Sequence, residues 1–177
     1  MEFSYDIKIP KERLSVLIGV KGSTKKDLED ISQTKIDVDS KEGEIKITGS
    51  DSLKLYTLKD VIIAIGRGFN PDIAKILFKQ DYILQIINIL DFIPNRNHLE
   101  RIKGRVIGAN GRSRSIIEKL TNTHISVYGK TVSIIGRTDD MPDAKKGVEN
   151  LLSGSPHSNV YKFLERVRSK NKREPNW

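Results

Sequence analysis

At 177 residues the chain has room for one large domain or two of about 90 residues, and either length can bury a modest core. Its formal charge of +8 and pI near 9.6 favour a polyanionic partner, nucleic acid or an anionic membrane surface, before any specific contact forms. The absence of cysteine excludes disulfides, thiol catalysis and thiolate metal sites, and no run approaches the roughly 18 apolar residues of a membrane span; with an acidic start at Met1-Glu2-Phe3-Ser4-Tyr5-Asp6, a soluble, cytoplasmic protein without a membrane partner is expected.

Phe3, Tyr5, Ile7 and Ile9 alternate with polar residues, which predicts a half-buried strand ended by Pro10. A short helix follows from Lys11 to Ile18, then a turn over Gly19 to Gly22. Ser23 or Thr24 is expected to cap a second helix that buries Leu28 and Ile31 and ends near Thr34. Ile36 with Val38, and Ile45 with Ile47, give two strands joined at Ser40-Lys41-Glu42-Gly43. Asp51 or Ser52 caps a longer helix whose Leu58, Val61, Ile62 and Ile65 form one apolar stripe.

Gly66-Arg67-Gly68 closes this unit, and Asn70-Pro71-Asp72 opens a short connecting helix carrying Ile73, Ile76 and Leu77. The apolar run Tyr82 to Ile93 predicts a buried strand stopped by Pro94. The cycle then repeats. A helix from His98 to Ile107 turns Leu99, Ile102 and Val106 inward, and a loop and a helix from Arg112 to Thr121 follow. Ile125 and Val127 pair with Val132 and Ile134 across Gly129-Lys130, and a helix from Asp139 to Leu152 buries Ala144, Val148 and Leu151. After Gly154-Ser155-Pro156, Val160, Phe163, Leu164 and Val167 predict an amphipathic docking helix, whereas Lys170 to Trp177 has too little apolar content to fold alone and its extreme end is expected to be mobile. The resulting boundaries are 1–68, a linker at 69–81, 82–153, and a C-terminal helix and basic tail at 154–177.

The repetition is literal. At an offset of 89 residues Leu17-Ile18-Gly19-Val20-Lys21-Gly22-Ser23 falls on Val106-Ile107-Gly108-Ala109-Asn110-Gly111-Arg112. Ile18, Gly19, Gly22, Glu29, Thr34, Ile36 and Val38 are identical to Ile107, Gly108, Gly111, Glu118, Thr123, Ile125 and Val127. The shorter second hairpin turn changes the offset to 87 at Gly49 and Gly136. Random placement of 13 glycines yields about one G-x-x-G. Two that fall at the same place in two copies are not explained that way. Paired glycines let a sugar-phosphate backbone lie against the main chain, and the following helix N-terminus favours an anion.

Charge distinguishes the copies. Arg96, Arg101, Lys103, Arg105, Arg112, Arg114 and Lys119 face only Glu100 and Glu118, whereas Lys21, Lys25 and Lys26 are opposed by Asp27, Glu29 and Asp30. His98, His124 and His157 are scattered without metal-ligand spacing, and Gly129-Lys130-Thr131 lacks the upstream glycine of a nucleotide-binding loop. No cofactor, metal or enzymatic activity is expected.

Two copies of strand-helix-G-x-x-G-helix-strand-strand-helix, each with [Leu/Val]-Ile-Gly-x-x-Gly at the turn, resemble tandem type I KH domains. The expected class is α+β, with each three-stranded antiparallel sheet packed on three helices. Leu99 to Ile135, with Leu151-Leu152-Ser153-Gly154-Ser155-Pro156 and Val160-Tyr161, resembles the archaeal form of the pre-ribosomal partner-of-Nob family. The resemblance implies a groove for about four nucleotides, between the two helices with their G-x-x-G loop on one side and the middle strand with its hairpin turn on the other. It also implies binding near the 3′ region of small-subunit ribosomal RNA, with the Nob endonuclease and the alpha subunit of initiation factor two as partners. Gly19, Val20, Lys21, Gly22 and Lys25 are the RNA-contact candidates of the first copy; Arg105, Ile107, Gly108, Ala109, Asn110, Gly111, Arg112, Arg114 and Lys119 are those of the second. Ile18, Ile107, Ile36 and Ile125 are read equally as groove floor or core. The alternatives are a KH-fold protein scaffold, a general single-strand binder, or a nuclease or RNA-modifying enzyme, against which the missing acidic cluster argues.

Overall fold

A computed structural model describes residues 1–173 and divides into two compact units, Met1–Gln80 and the chain from Asp81 onward. In the first unit the order is β1 (Phe3–Lys8), α1 (Lys11–Ile18), α2 (Ser23–Ser32), β2 (Lys35–Asp39), β3 (Glu44–Gly49), α3 (Ser52–Gly66) and α4 (Pro71–Ala74). The strands pair antiparallel in the order β1-β3-β2, with Ile7 opposite Ile45 and Ile36 opposite Ile47. Period-two alternation puts Ile7, Ile36, Ile45 and Ile47 on the covered face, against α2 and α3. Asp51 caps α3 by accepting from the N–H groups of Leu53 and Lys54 at 3.0 and 3.2 Å, an arrangement worth about 1 kcal/mol. The segment after Gly68 stays with this unit: α4 and the 3₁₀ turn Lys75–Phe78 pack on α3 and bury Ala74 and Leu77.

The second unit has the same order. It comprises β4 (Tyr82–Asn88), α5 (Leu99–Ile107), α6 (Arg112–Thr121), β5 (His124–Tyr128), β6 (Thr131–Arg137), α7 (Met141–Leu152) and α8 (His157–Arg173), with sheet order β4-β6-β5. Its core unites Ile87, Ile117, Ile125, Val132 and Ile134 with Val148 and Leu151 of α7 and Val160 and Leu164 of α8. The strand expected to line the groove, the middle one of each unit in sequence (β2 and β5), is an edge in space, since β3 and β6 occupy the centres.

Several expectations need correction. The run Tyr82 to Ile93 is a strand only to Asn88, whose side chain accepts from the Leu90 N–H at 3.1 Å and starts a 3₁₀ turn over Ile89–Phe92. As an edge strand β4 leaves Ile83 and Ile86 more than a third exposed, so apolar content overstated its burial. Ile31 is 46% exposed because α2 faces inward through Leu28 and Ser32. Neither Ser23 nor Thr24 caps α2; Gly22 occupies that position without a side-chain hydrogen bond. Finally, Lys170 to Arg173, too polar to fold alone, are helical as the continuation of α8, and the extreme tail, Glu174 to Trp177, lies outside the described residues.

Candidate nucleic-acid interface

The two G-x-x-G turns have the same backbone. Gly19 has φ 74° and ψ 177°, Lys21 φ 54° and ψ 30°, and Gly22 φ 75° and ψ 15°. Gly108 has φ 73° and ψ 172°, Asn110 φ 56° and ψ 30°, and Gly111 φ 72° and ψ 15°. Each turn thus places three of its four residues at positive φ, and glycine adopts that region without steric cost. Asparagine tolerates it better than lysine, so Asn110 is the less strained of the two third residues.

The two glycines of each loop are required for different reasons. A Cβ on Gly19 would lie 2.3 Å from Thr24 Oγ1, and one on Gly108 would lie 2.7 Å from Ser113 Cβ, so the first glycine lets two helices approach. A Cβ on Gly22 meets nothing within 4 Å, and one on Gly111 meets only Arg114 Nη2 at 3.9 Å. The second glycine therefore leaves the backbone open to solvent at the N-cap of α2 or α6. No side chain caps either helix, in contrast to α3 with Asp51. N–H groups at such an end, reinforced by the helix dipole, suit a phosphate.

Around the loops, Val20, Lys21, Ala109, Asn110 and Arg112 are exposed, while Gly19, Gly22, Gly108 and Gly111 are half-buried. Ile18 and Ile107 are also half-buried beside the turns, whereas Ile36 and Ile125 are sealed and belong to the core. Lys25 pairs with Glu29 at 3.2 Å, and Arg114 Nε lies 3.8 Å from Glu118 Oε1. Lys119 is exposed, with its carbonyl accepting from Arg168 at 3.2 Å.

Arg105 is engaged within the fold. Its Nε donates to the Leu151 carbonyl at 3.3 Å and its Nη2 to the Ser155 carbonyl at 2.5 Å, tying α5 to the chain between α7 and α8. Glu29 and Glu118, identical in the repeat and read only as opposing charge, do a second job. Their other carboxylate oxygens accept from the N–H groups of Ile36 at 3.2 Å and Ile125 at 2.9 Å, fixing each edge strand to the helix after the loop. Their identity at equal repeat positions was the signal for this role; their charge concealed it.

A three-stranded antiparallel sheet covered by helices, with a glycine turn between two of them, occurs twice in one chain. That defines a tandem type I KH protein. A KH-domain family model matches residues 4–63, and a model described as a eukaryotic-type KH domain, type I, the second domain of PNO1, matches residues 83–169. The KH domain-containing protein MJ0443 of Methanocaldococcus jannaschii is 46% identical over 171 residues, covering 94% of this chain and 75% of the relative. A chain of the a/eIF2alpha–aDim2p–rRNA complex from Pyrococcus horikoshii OT3 is 44% identical with a TM-score of 0.91, covering 96% of each chain. The pre-rRNA-processing protein pno1 of Aspergillus fumigatus is 32% identical over 127 residues, covering 70% of this chain but 47% of the relative. The chain belongs to the PNO1-like family of tandem KH proteins, in its archaeal, Dim2p-like form.

Proposed function

We propose that the protein binds single-stranded ribosomal RNA through its KH loops and acts without catalysis as a small-subunit rRNA processing and assembly factor near the rRNA 3′ end. The observation that carries this reading is the pair of open, uncapped G-x-x-G turns with matching dihedral angles. Its support in the family comes from relatives, a pre-rRNA-processing protein among them, and from the Pyrococcus complex that contains aDim2p, rRNA and a/eIF2alpha. The second unit is the main grip: Gly108, Ala109, Asn110 and Gly111 meet the phosphates, Arg112 and Arg114 supply the positive field at the turn beside Ile107, and Lys119, in the last turn of α6, adds charge farther from it. Arg105 contributes by holding α5 in place and by its charge. Gly19, Val20, Lys21, Gly22 and Lys25 form a weaker copy.

The first unit favours a second reading for itself, as a protein-contact module. Asp27, Glu29 and Asp30 offset the lysines of α2, and Lys75 pairs with Asp27. An initiation factor two alpha subunit or a Nob-type endonuclease is the partner class that the family resemblance suggests for it.

Titration of a labelled RNA matching the small-subunit rRNA 3′ end, at several salt concentrations and against a matched DNA competitor, tests the proposal. Affinity is expected to fall linearly with log salt, by about 0.7 of a log unit per log unit of salt for each phosphate contacted. RNA is expected to outcompete DNA where the 2′-hydroxyl is read. Absence of RNA binding, or affinity indifferent to salt, would leave the scaffold reading in its place.

A further inference from the structure

The second unit has a cationic recess on the helix side of its loop. A cavity of about 680 Å³ opens between α5, the loop, α6 and the start of α8, and among the described residues no strand residue and no carboxylate lines it. Arg101, Arg105 and Arg112 converge there with His157 and Tyr161. The site is built by a reciprocal clasp. Arg105 Nη2 donates to the Ser155 carbonyl, and His157 Nε2 donates to the Arg105 carbonyl at 2.8 Å, so the α7–α8 turn is locked against α5. The His157 and Tyr161 rings lie 6.1 Å apart at 59°, presenting an aromatic wall. Ser113, 3% exposed, also lines the recess, and its hydroxyl has no hydrogen-bond partner.

Three guanidinium groups sharing one recess without a carboxylate favour an anion, and arginines beside aromatic faces suit a nucleotide, whose phosphate and base use both. The first unit ties its first helix in a similar way, through Arg13 to the Ile65 and Phe69 carbonyls at 2.8 and 3.0 Å, but lacks the three arginines of the recess. At the repeat offset Arg101, Arg105, Arg112 and Ile116 become Glu12, Val16, Ser23 and Asp27. Its last helix, α4, packs on α3, whereas α8 packs on α6 and α7. Because Gly108, Ala109 and Arg112 belong both to the recess and to the loop, a strand held by the loop reaches the recess by continuing over it.

We propose that this recess is a second nucleotide-binding site, holding the RNA nucleotide that flanks the segment in the KH groove. It rests on the RNA-binding reading above and extends the second unit's footprint beyond about four nucleotides.

The test uses the full chain, labelled RNAs of four and ten nucleotides that share the groove sequence, and the variants Arg101→Glu, Arg101→Lys and Tyr161→Leu. Melting curves verify the fold. Arg101→Glu is expected to weaken the ten-mer about 5- to 30-fold and Tyr161→Leu about 3- to 10-fold, with the four-mer changing by less than about twofold. Arg101→Lys keeps the charge and should restore most of the ten-mer affinity. Equal losses on both lengths, or an unchanged ten-mer, would overturn the proposal; the unchanged ten-mer would leave the recess to a protein ligand. Failure of the underlying reading is separable, because it appears as four-mer affinity unaffected by Ala109→Asp with Asn110→Asp.

Discussion

The two loops share a backbone to within a few degrees, yet their surroundings diverge. Gly19 and Gly108 both sit where a Cβ would strike the following helix, and Gly22 and Gly111 both face open space. Beyond the turn the copies part company. The outer face of α2 carries Asp27, Asp30 and an exposed Ile31; the matching positions of α6 are Ile116, Lys119 and Leu120, and Leu120 packs onto the core that α8 completes. The turn geometry is thus a property of the fold, whereas charge and the added helix distinguish the working surfaces of the two units.

The largest effect expected from breaking this comparison is at α8. Leu164 is 1% exposed within the second unit's core, so Leu164→Ala should destabilise that unit by about 2–5 kcal/mol, while Ile31→Ala in the first unit should stay within about 0.5 kcal/mol. Denaturant unfolding checks both. Comparable costs would mean that α8 is not integral to the second unit.

A middle-sized effect separates the two glycines of one loop. Gly108→Ala combines positive φ with a 2.7 Å approach to Ser113 and should cost about 2–4 kcal/mol; Gly111→Ala meets only the conformational penalty, about 1 kcal/mol. The same ordering is expected for Gly19 and Gly22. Equal costs within a loop would show that helix approach does not set the first glycine.

The smallest effect concerns Asp60 in α3. Burial raises its pKa above the ordinary 3.8, with the Lys59 charge opposing. A carboxyl whose folded pKa lies above its unfolded one favours the fold below the unfolded value and loses that contribution as pH rises through the folded value. Asp60→Asn should therefore raise the melting temperature slightly at pH 7, with the gain shrinking as the pH falls through the folded pKa. A gain that grows on acidification would contradict this sign.

Most of the fold was legible because its signals are local. Alternation at Phe3, Tyr5 and Ile7, the stripe at Leu58, Val61, Ile62 and Ile65, and the repeated glycines each report on neighbours within a few residues. What escaped depends on distant chain. Ile31 and its counterpart Leu120 look alike in sequence, but only the latter packs onto a core that includes residues of α8. Arg105 looked like one more cation for RNA, and its tie to Leu151 and Ser155 spans about half of the unit's sequence. Tyr82 to Ile93 read as a buried strand because composition does not disclose which strand occupies the sheet edge.

The central claim is that the second loop is the principal RNA grip, and one comparison tests it directly. Affinity for the same rRNA 3′-end oligonucleotide is measured for the unaltered chain, for Ala109→Asp with Asn110→Asp, and for Val20→Asp with Lys21→Asp, with circular dichroism confirming the fold. Two carboxylates beside a phosphate at the second loop should weaken binding from several-fold to over a hundredfold, for penalties of about 1–3 kcal/mol, and the first-loop pair should cost less. Unchanged binding with the second-loop pair, or a larger loss with the first, would contradict the account.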